Sequence, residues 1–211
     1  MMSLTNFKAA RRVGALALAG VMLGVMFGVL SGCAGTGSPP VQWLQLRAAA
    51  PAGAAANANP GPSPFVWQLA LPVRVPDYLD RDVLLVPQGQ AGLQAVAGYR
   101  WAEPLRESVP RLLREDLATL LGEARVWSAP LPPGLVIQRQ LRVELLALEA
   151  NAARTAVELR ARWSVADAAG SAAPRVDSAV LSVPSAGSDA DSLAAAHRMA
   201  LWLLAQRIAA Q

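Results

Sequence analysis

The most regular alternation in the chain is the stretch TAVELRARWSV. Val157, Leu159, Ala161, Trp163 and Val165 fall on one side, and Glu158, Arg160, Arg162 and Ser164 on the other. A period of two with one apolar side predicts a half-buried β-strand. The preceding segment starts in the same way with Leu141 and Val143, but Leu146 and Leu148 are out of phase. A β-bulge near Glu144 or Leu145 would reconcile the two halves. RVDSAVLSV, after the turn DAAG, predicts a further strand. Upstream, Phe65, Trp67, Leu69 and Leu71 alternate, giving a strand that either ends at Pro72 or continues along a sheet edge. DVLLVP and LQAV form a hairpin across QGQAG, VQWLQL is a short strand, and PDYLDR is a turn.

Two segments change to a period of 3.6. Leu105, Val109, Leu112, Leu113, Leu117, Leu120 and Leu121 share one helical stripe, with Pro104 suited to its first turn and Gly122 to its C-cap. Pro110 lies inside that pattern and lacks the N–H that a helix interior needs, so a kink, or a start nearer Ser108, is expected. The chain closes with Leu193, Ala196, Ala200, Leu203, Leu204 and Ile208 on one face of a second helix, N-capped by Asp191 or Ser192. On that helix Trp202 falls half a turn from Leu193, with Ala195 and Met199 close to it. A second apolar stripe opposite the core face has two readings: contact with another subunit, or cover by the Arg47–Pro64 loop or the N-terminal tether.

The first thirty residues follow neither period. Val13 to Leu30 carry no charge, and eighteen helical residues would span about 27 Å, close to a hydrocarbon core. Lys8, Arg11 and Arg12 precede the run and small residues follow it, which is how an export signal is built, although an uncleaved anchor shares the apolar length. Leu30, Ser31, Gly32 and Cys33 match the lipobox of bacterial lipoproteins. That resemblance implies cleavage before Cys33 and acylation of its thiol, and a lone exported cysteine has no disulfide partner to compete. Ala34 stands where an Asp would resemble the inner-membrane retention signal, which favours the outer membrane.

Removal of this signal also alters the charge. The chain has nineteen basic and fifteen acidic residues, and without Lys8, Arg11 and Arg12 sixteen face fifteen. Nucleic-acid binding thereby loses its electrostatic basis. The expected organisation is a signal peptide over 1–32, a lipidated tether over 33–64 with a short strand near 41–48 and a low-complexity loop, and a folded domain over 65–211.

Several stretches together carry a resemblance: LPVRVPDYLDR, YRWAEPLRESVPRLLREDLATLL, the pair LRVELLALEA and VELRARWSV, and the Ala-rich terminal helix. In this order, behind a lipobox, they resemble the ABC-type transport auxiliary lipoprotein family, which includes the PqiC-like lipoproteins. The likeness runs from about Val41 to Ala210. It implies an α/β domain with two main helices packed on a mixed β-sheet, similar to the anticodon-binding and TolB N-terminal folds. It also implies a non-catalytic subunit of an MCE-type ABC lipid transport system, linking a periplasmic tunnel to the outer membrane. The partners so implied are an MCE-domain protein and the transporter's permease and ATPase; a homo-oligomer is a further possibility. The signature positions are Asp77, Tyr78, Arg81, Arg100, Trp101 and Glu103, with Trp202 added as an interface candidate. Trp101 and Glu103 are read mainly as an aromatic plug with a capping carboxylate, and otherwise as partner contacts.

Candidate chemistry is sparse. His197 is the only histidine, so any triad or metal site would have to use it, yet it lies on the apolar stripe of the last helix and reads as structural. No phosphate-binding loop, paired cysteines or metal-ligand cluster stands out, so neither catalytic residues nor a cofactor are expected beyond the lipid on Cys33. Trp43, Trp67 and Trp163 lie on strands and are expected in the core. A stand-alone lipid carrier is the competing function, and an envelope hydrolase a weaker one.

Overall fold

The computed structural model describes residues 40–47, 49–51 and 62–211. The expected signal peptide, Cys33 and most of the low-complexity loop lie outside the described residues. Eight strands and two helices follow: β1 (Gln42–Leu44), β2 (Trp67–Leu69), β3 (Val83–Gln88), β4 (Gly92–Trp101), α1 (Leu105–Leu121), β5 (Val126–Trp127), β6 (Arg139–Ala150), β7 (Ala156–Asp167), β8 (Arg175–Pro184) and α2 (Ala190–Ala209). The architecture is α/β with two helices and mixed sheets. The strands divide into a three-stranded sheet, β1-β4-β3, and a five-stranded sheet, β5-β2-β6-β7-β8.

The long antiparallel pair β6–β7 anchors the larger sheet. Leu141, Val143 and Leu145 are buried, the register shifts between Leu145 and Ala147, and Leu148 and Ala150 are buried after it. Leu146 is the extra residue and points to solvent, so the bulge lies one position beyond the stretch that the pattern indicated. Asn151 closes the turn, its Oδ1 accepting from the backbone N–H of Thr155 at 2.9 Å. On β7, Val157, Leu159, Ala161 and Trp163 are all buried, as their alternation requires.

β1 runs parallel to β4, and Leu44 and Leu46 are buried in the common core. Trp43 departs from the expectation of a core tryptophan: it is 64% exposed, because β1 is an edge strand and Trp43 alternates with buried Leu44. Trp67 and Trp163 are buried as expected. β5, only two residues long, has no pattern to read, and it is held by parallel pairing to β2.

All seven aliphatic residues of the α1 stripe are buried, each stabilising the fold by about 1.5–3 kcal/mol. The helix begins at Leu105 and runs through Pro110 to Leu121. Gly122 follows at φ 106°, a conformation costly for any residue with a Cβ, and its N–H donates to the carbonyl of Ala118 at 2.8 Å. α2 is N-capped by Asp189 rather than Asp191 or Ser192: the carboxylate accepts from the Ser192 N–H at 2.9 Å. The helix starts one turn earlier than its apolar pattern because Ala190 and Asp191 carry no periodic signal.

α2 packs on β7 and β8, on α1, and against β1. Consequently it is buried nearly all round, which is what a helix with two opposed apolar stripes requires. Among the described residues no helix is long and apolar enough to cross a membrane.

Candidate functional site

Signature residues converge on one corner, where the 76–82 turn, the end of β4 and the start of α1 meet. The turn is closed by the Leu79 N–H donating to the Pro76 carbonyl at 2.9 Å, and Leu79 itself is buried. Asp80 accepts from the Arg106 guanidinium of α1 at 2.5 Å, while Asp82 accepts from Arg100 of β4 at 2.5 Å. These two exposed pairs pin the turn between helix and strand, each contributing about 0–1 kcal/mol. Tyr78 donates its hydroxyl to Glu149 of β6 at 3.3 Å. Burial, with the Glu149 charge behind it, pushes the phenol up to about 12, so it stays a neutral donor. Asp77 and Arg81 are exposed on the outside of the same turn.

Trp101 ends β4 as a plug. Its backbone N–H donates to the Asp82 carbonyl at 2.7 Å, its side chain is buried, and its ring meets the His197 imidazole edge-on at 5.7 Å between centroids. Glu103 does not cap α1, whose N-cap Pro104 has no side-chain hydrogen bond. The Glu103 carboxylate instead receives Arg111 at 2.5 and 3.3 Å, and Arg111 also lies 3.6 Å from Glu115. The Glu103 bond holds the guanidinium more firmly protonated than usual. An oxygen reaching along the helix to the second turn satisfies a side chain rather than the orphan N–H groups of the first.

His197 is fully enclosed, and its Nδ1–H donates to the Leu193 carbonyl at 2.7 Å. Burial pulls its pKa down to about 4, against a partial opposing effect of that hydrogen bond. A neutral imidazole in a closed pocket is a packing element: the adjoining cavity holds about 10 Å³, at the lower limit for one water. Among the described residues no three His, Cys, Asp or Glu side chains are grouped to hold a metal ion.

Trp202 requires correction as an exposed interface residue. It is 2% exposed and sits one turn beyond Arg198, whose own partners are Asp116 of α1 and the Arg47 carbonyl after β1. Its neighbour Arg198 belongs to a constellation that the sequence reading missed. Asp116 of α1 and Arg198 form a buried bidentate pair at 2.5 and 2.8 Å, and Arg198 Nε donates to the Arg47 carbonyl at 2.7 Å. Burial pushes the Asp116 carboxyl up, the paired guanidinium opposing it. A signal existed: Asp116 adjoins Leu112, Leu113 and Leu117 on the apolar stripe, where an unpaired acid would not be tolerated.

A family model described as the ABC-type transport auxiliary lipoprotein component matches residues 44–209. The chain belongs to this family. The match begins at the last residue of β1 and takes in the signature corner and both helices of this auxiliary lipoprotein. No curated protein matches the chain. Among solved structures, an uncharacterized protein is 18% identical with a TM-score of 0.64, covering 81% of this chain and 97% of its own. A Xanthomonas campestris protein is 16% identical with a TM-score of 0.60, covering 80% and 93%. At such identities these likenesses establish the fold. The family description fixes the coarse role, an accessory lipoprotein of ABC-type transport.

Proposed function

We propose that this auxiliary lipoprotein is a non-catalytic subunit of an MCE-type ABC lipid transport system. In this reading it is acylated at Cys33, held at the periplasmic face of the outer membrane, and ties the transporter's periplasmic tunnel to that membrane. The observation that carries the reading is the family match across the whole folded region, behind a Leu-Ser-Gly-Cys sequence at 30–33. The signature corner supports it: Asp77 and Arg81 are exposed on a turn that ion pairs and the buried Leu79 hold in place, which suits recognition by a protein partner. The competing carrier reading needs room for an acyl chain inside the domain. Here the space between sheet and helices is filled by Trp67, Trp163 and the leucine stripes, with about 10 Å³ beside His197, and the larger cleft lies on the outer face of the sheet rather than inside the domain.

The test is affinity capture of the full lipidated chain from solubilised envelopes. Recovery of an MCE-domain protein, permease and ATPase is expected, and an Asp77→Arg, Arg81→Glu double variant should lose them while melting within about 2 °C of the parent. Capture of stoichiometric lipid with none of these proteins would favour the carrier.

A further inference from the structure

The face of the five-stranded sheet opposite the core holds a cleft of about 690 Å³. Alternation along β6 sends Leu141, Val143 and Leu145 into the core and Gln140, Arg142 and Glu144 to this side. Register on β7 sets Ser164 opposite Arg142 and Arg162 opposite Glu144. After β2 the chain returns to β6 at Arg74, which bridges Glu144 in parallel and so joins the same wall.

Charge in the cleft is unbalanced. Glu144 is its one lining acid, and it already receives Arg162 at 2.6 Å. Arg74 and Arg142 have no ion pair or side-chain hydrogen bond among the described residues, so three arginines line a wall that carries one carboxylate. At the signature corner, by contrast, Arg100 is paired with Asp82, Arg106 with Asp80 and Arg111 with Glu103. Arg162 stands opposite Glu144, so Arg142 and Arg162 are diagonal neighbours across the β6–β7 pair, about 7–8 Å apart, near enough for two long guanidinium side chains to share one tetrahedral anion. Planar N–H forks match phosphate oxygens better than any other side chain does. Beside them Leu71 and Val176 expose apolar surface at the cleft wall.

We infer that this cleft binds a phosphate-bearing anion with an apolar substituent, its oxygens taken by Arg74, Arg142 and Arg162 and its substituent resting on Leu71 and Val176. The bearer is either a phospholipid headgroup or a free phosphate compound; the cleft itself does not depend on the transport proposal, and only the choice of a lipid bearer rests on it.

Titration calorimetry on the full chain in a neutral detergent, with dihexanoyl phosphatidic acid and with inorganic phosphate as probes, tests this directly. Arg142→Gln and Arg74→Gln should each weaken binding of the short-chain lipid by about tenfold, the loss of one charge-assisted contact. Arg207→Gln, on the exposed side of α2, should leave it unchanged, with all three melting like the parent. Tighter binding of the lipid than of phosphate supports a headgroup site. Equal binding of both keeps the anion contacts with the arginines but overturns the apolar contact with Leu71 and Val176, and with it the lipid bearer. Absence of binding by either probe, or equal affinities for the three variants and the parent, overturns the inference. None of these outcomes depends on capture of transporter subunits, so this inference and the transport reading can fail separately.

Discussion

At His197 a single enclosed ring sets a pH dependence for the whole fold. Its folded pKa, near 4, lies below the ordinary value of 6.5, and the cause is burial, with no charged side chain among the influences on it. A depressed folded pKa contributes stability that is present above 6.5 and lost as pH falls toward 4, because the unfolded chain takes up the proton first. The loss amounts to about 2 kcal/mol by pH 5. His197→Gln should flatten the melting temperature between pH 7 and pH 5 relative to the parent, and equal slopes in the two proteins would count against the assignment. Trp202 shows a limit of reading one helix in isolation. Its half-turn offset from Leu193 correctly marked a second apolar face, but that face is buried in the fold, which a helical wheel cannot display. Trp202→Ala should lower stability by about 3–5 kcal/mol as judged by urea unfolding, without change of assembly state by light scattering. Trp43 errs in the opposite direction: apolar and on a strand, it faces out because β1 is three residues at an edge.

Between elements, the Asp116–Arg198 pair joins α1 to α2 and, through Arg47, to the chain after β1. Removing one partner strands a buried charge. Asp116→Leu is therefore expected to cost about 3–5 kcal/mol, whereas Asp116→Leu with Arg198→Met should recover most of it; urea unfolding of both singles and the double variant measures the difference. Pro110 is the other local conflict. It sits in an unbroken helix without an N–H to offer the Arg106 carbonyl, so Pro110→Ala should raise stability by about 1–2 kcal/mol in the same measurement. Long periodic elements, β6, β7 and α1, were legible because each buries one side and repeats it many times. The bulge was legible as a phase error, though only to within a residue, since Leu146 itself is apolar and so hides the position of the shift. β5 and the Asp189 cap were not, being fixed by pairing and by hydrogen bonds outside any hydrophobic period.

For the whole molecule, the α/β class and the family followed from the order of strands and helices and from the turn and corner sequences. Division of the strands into two sheets did not, because pattern gives each strand its faces but not its neighbours. The signature corner was legible as a set of residues, while its ion pairs and the switch of Glu103 from cap to Arg111 partner depend on distances that sequence does not carry. The central proposal, a lipid-anchored accessory subunit that ties a transporter to the outer membrane, rests on both ends of the chain acting together. Density-gradient fractionation of envelopes, following the full chain beside the MCE-domain protein, tests it most directly. The account predicts mature chain, acylated at Cys33, in the outer-membrane fraction with MCE protein co-migrating, and Cys33→Ala precursor retained at the inner membrane. Mature parent chain in the inner-membrane or soluble fraction, or normal processing and outer-membrane migration of Cys33→Ala, would contradict it.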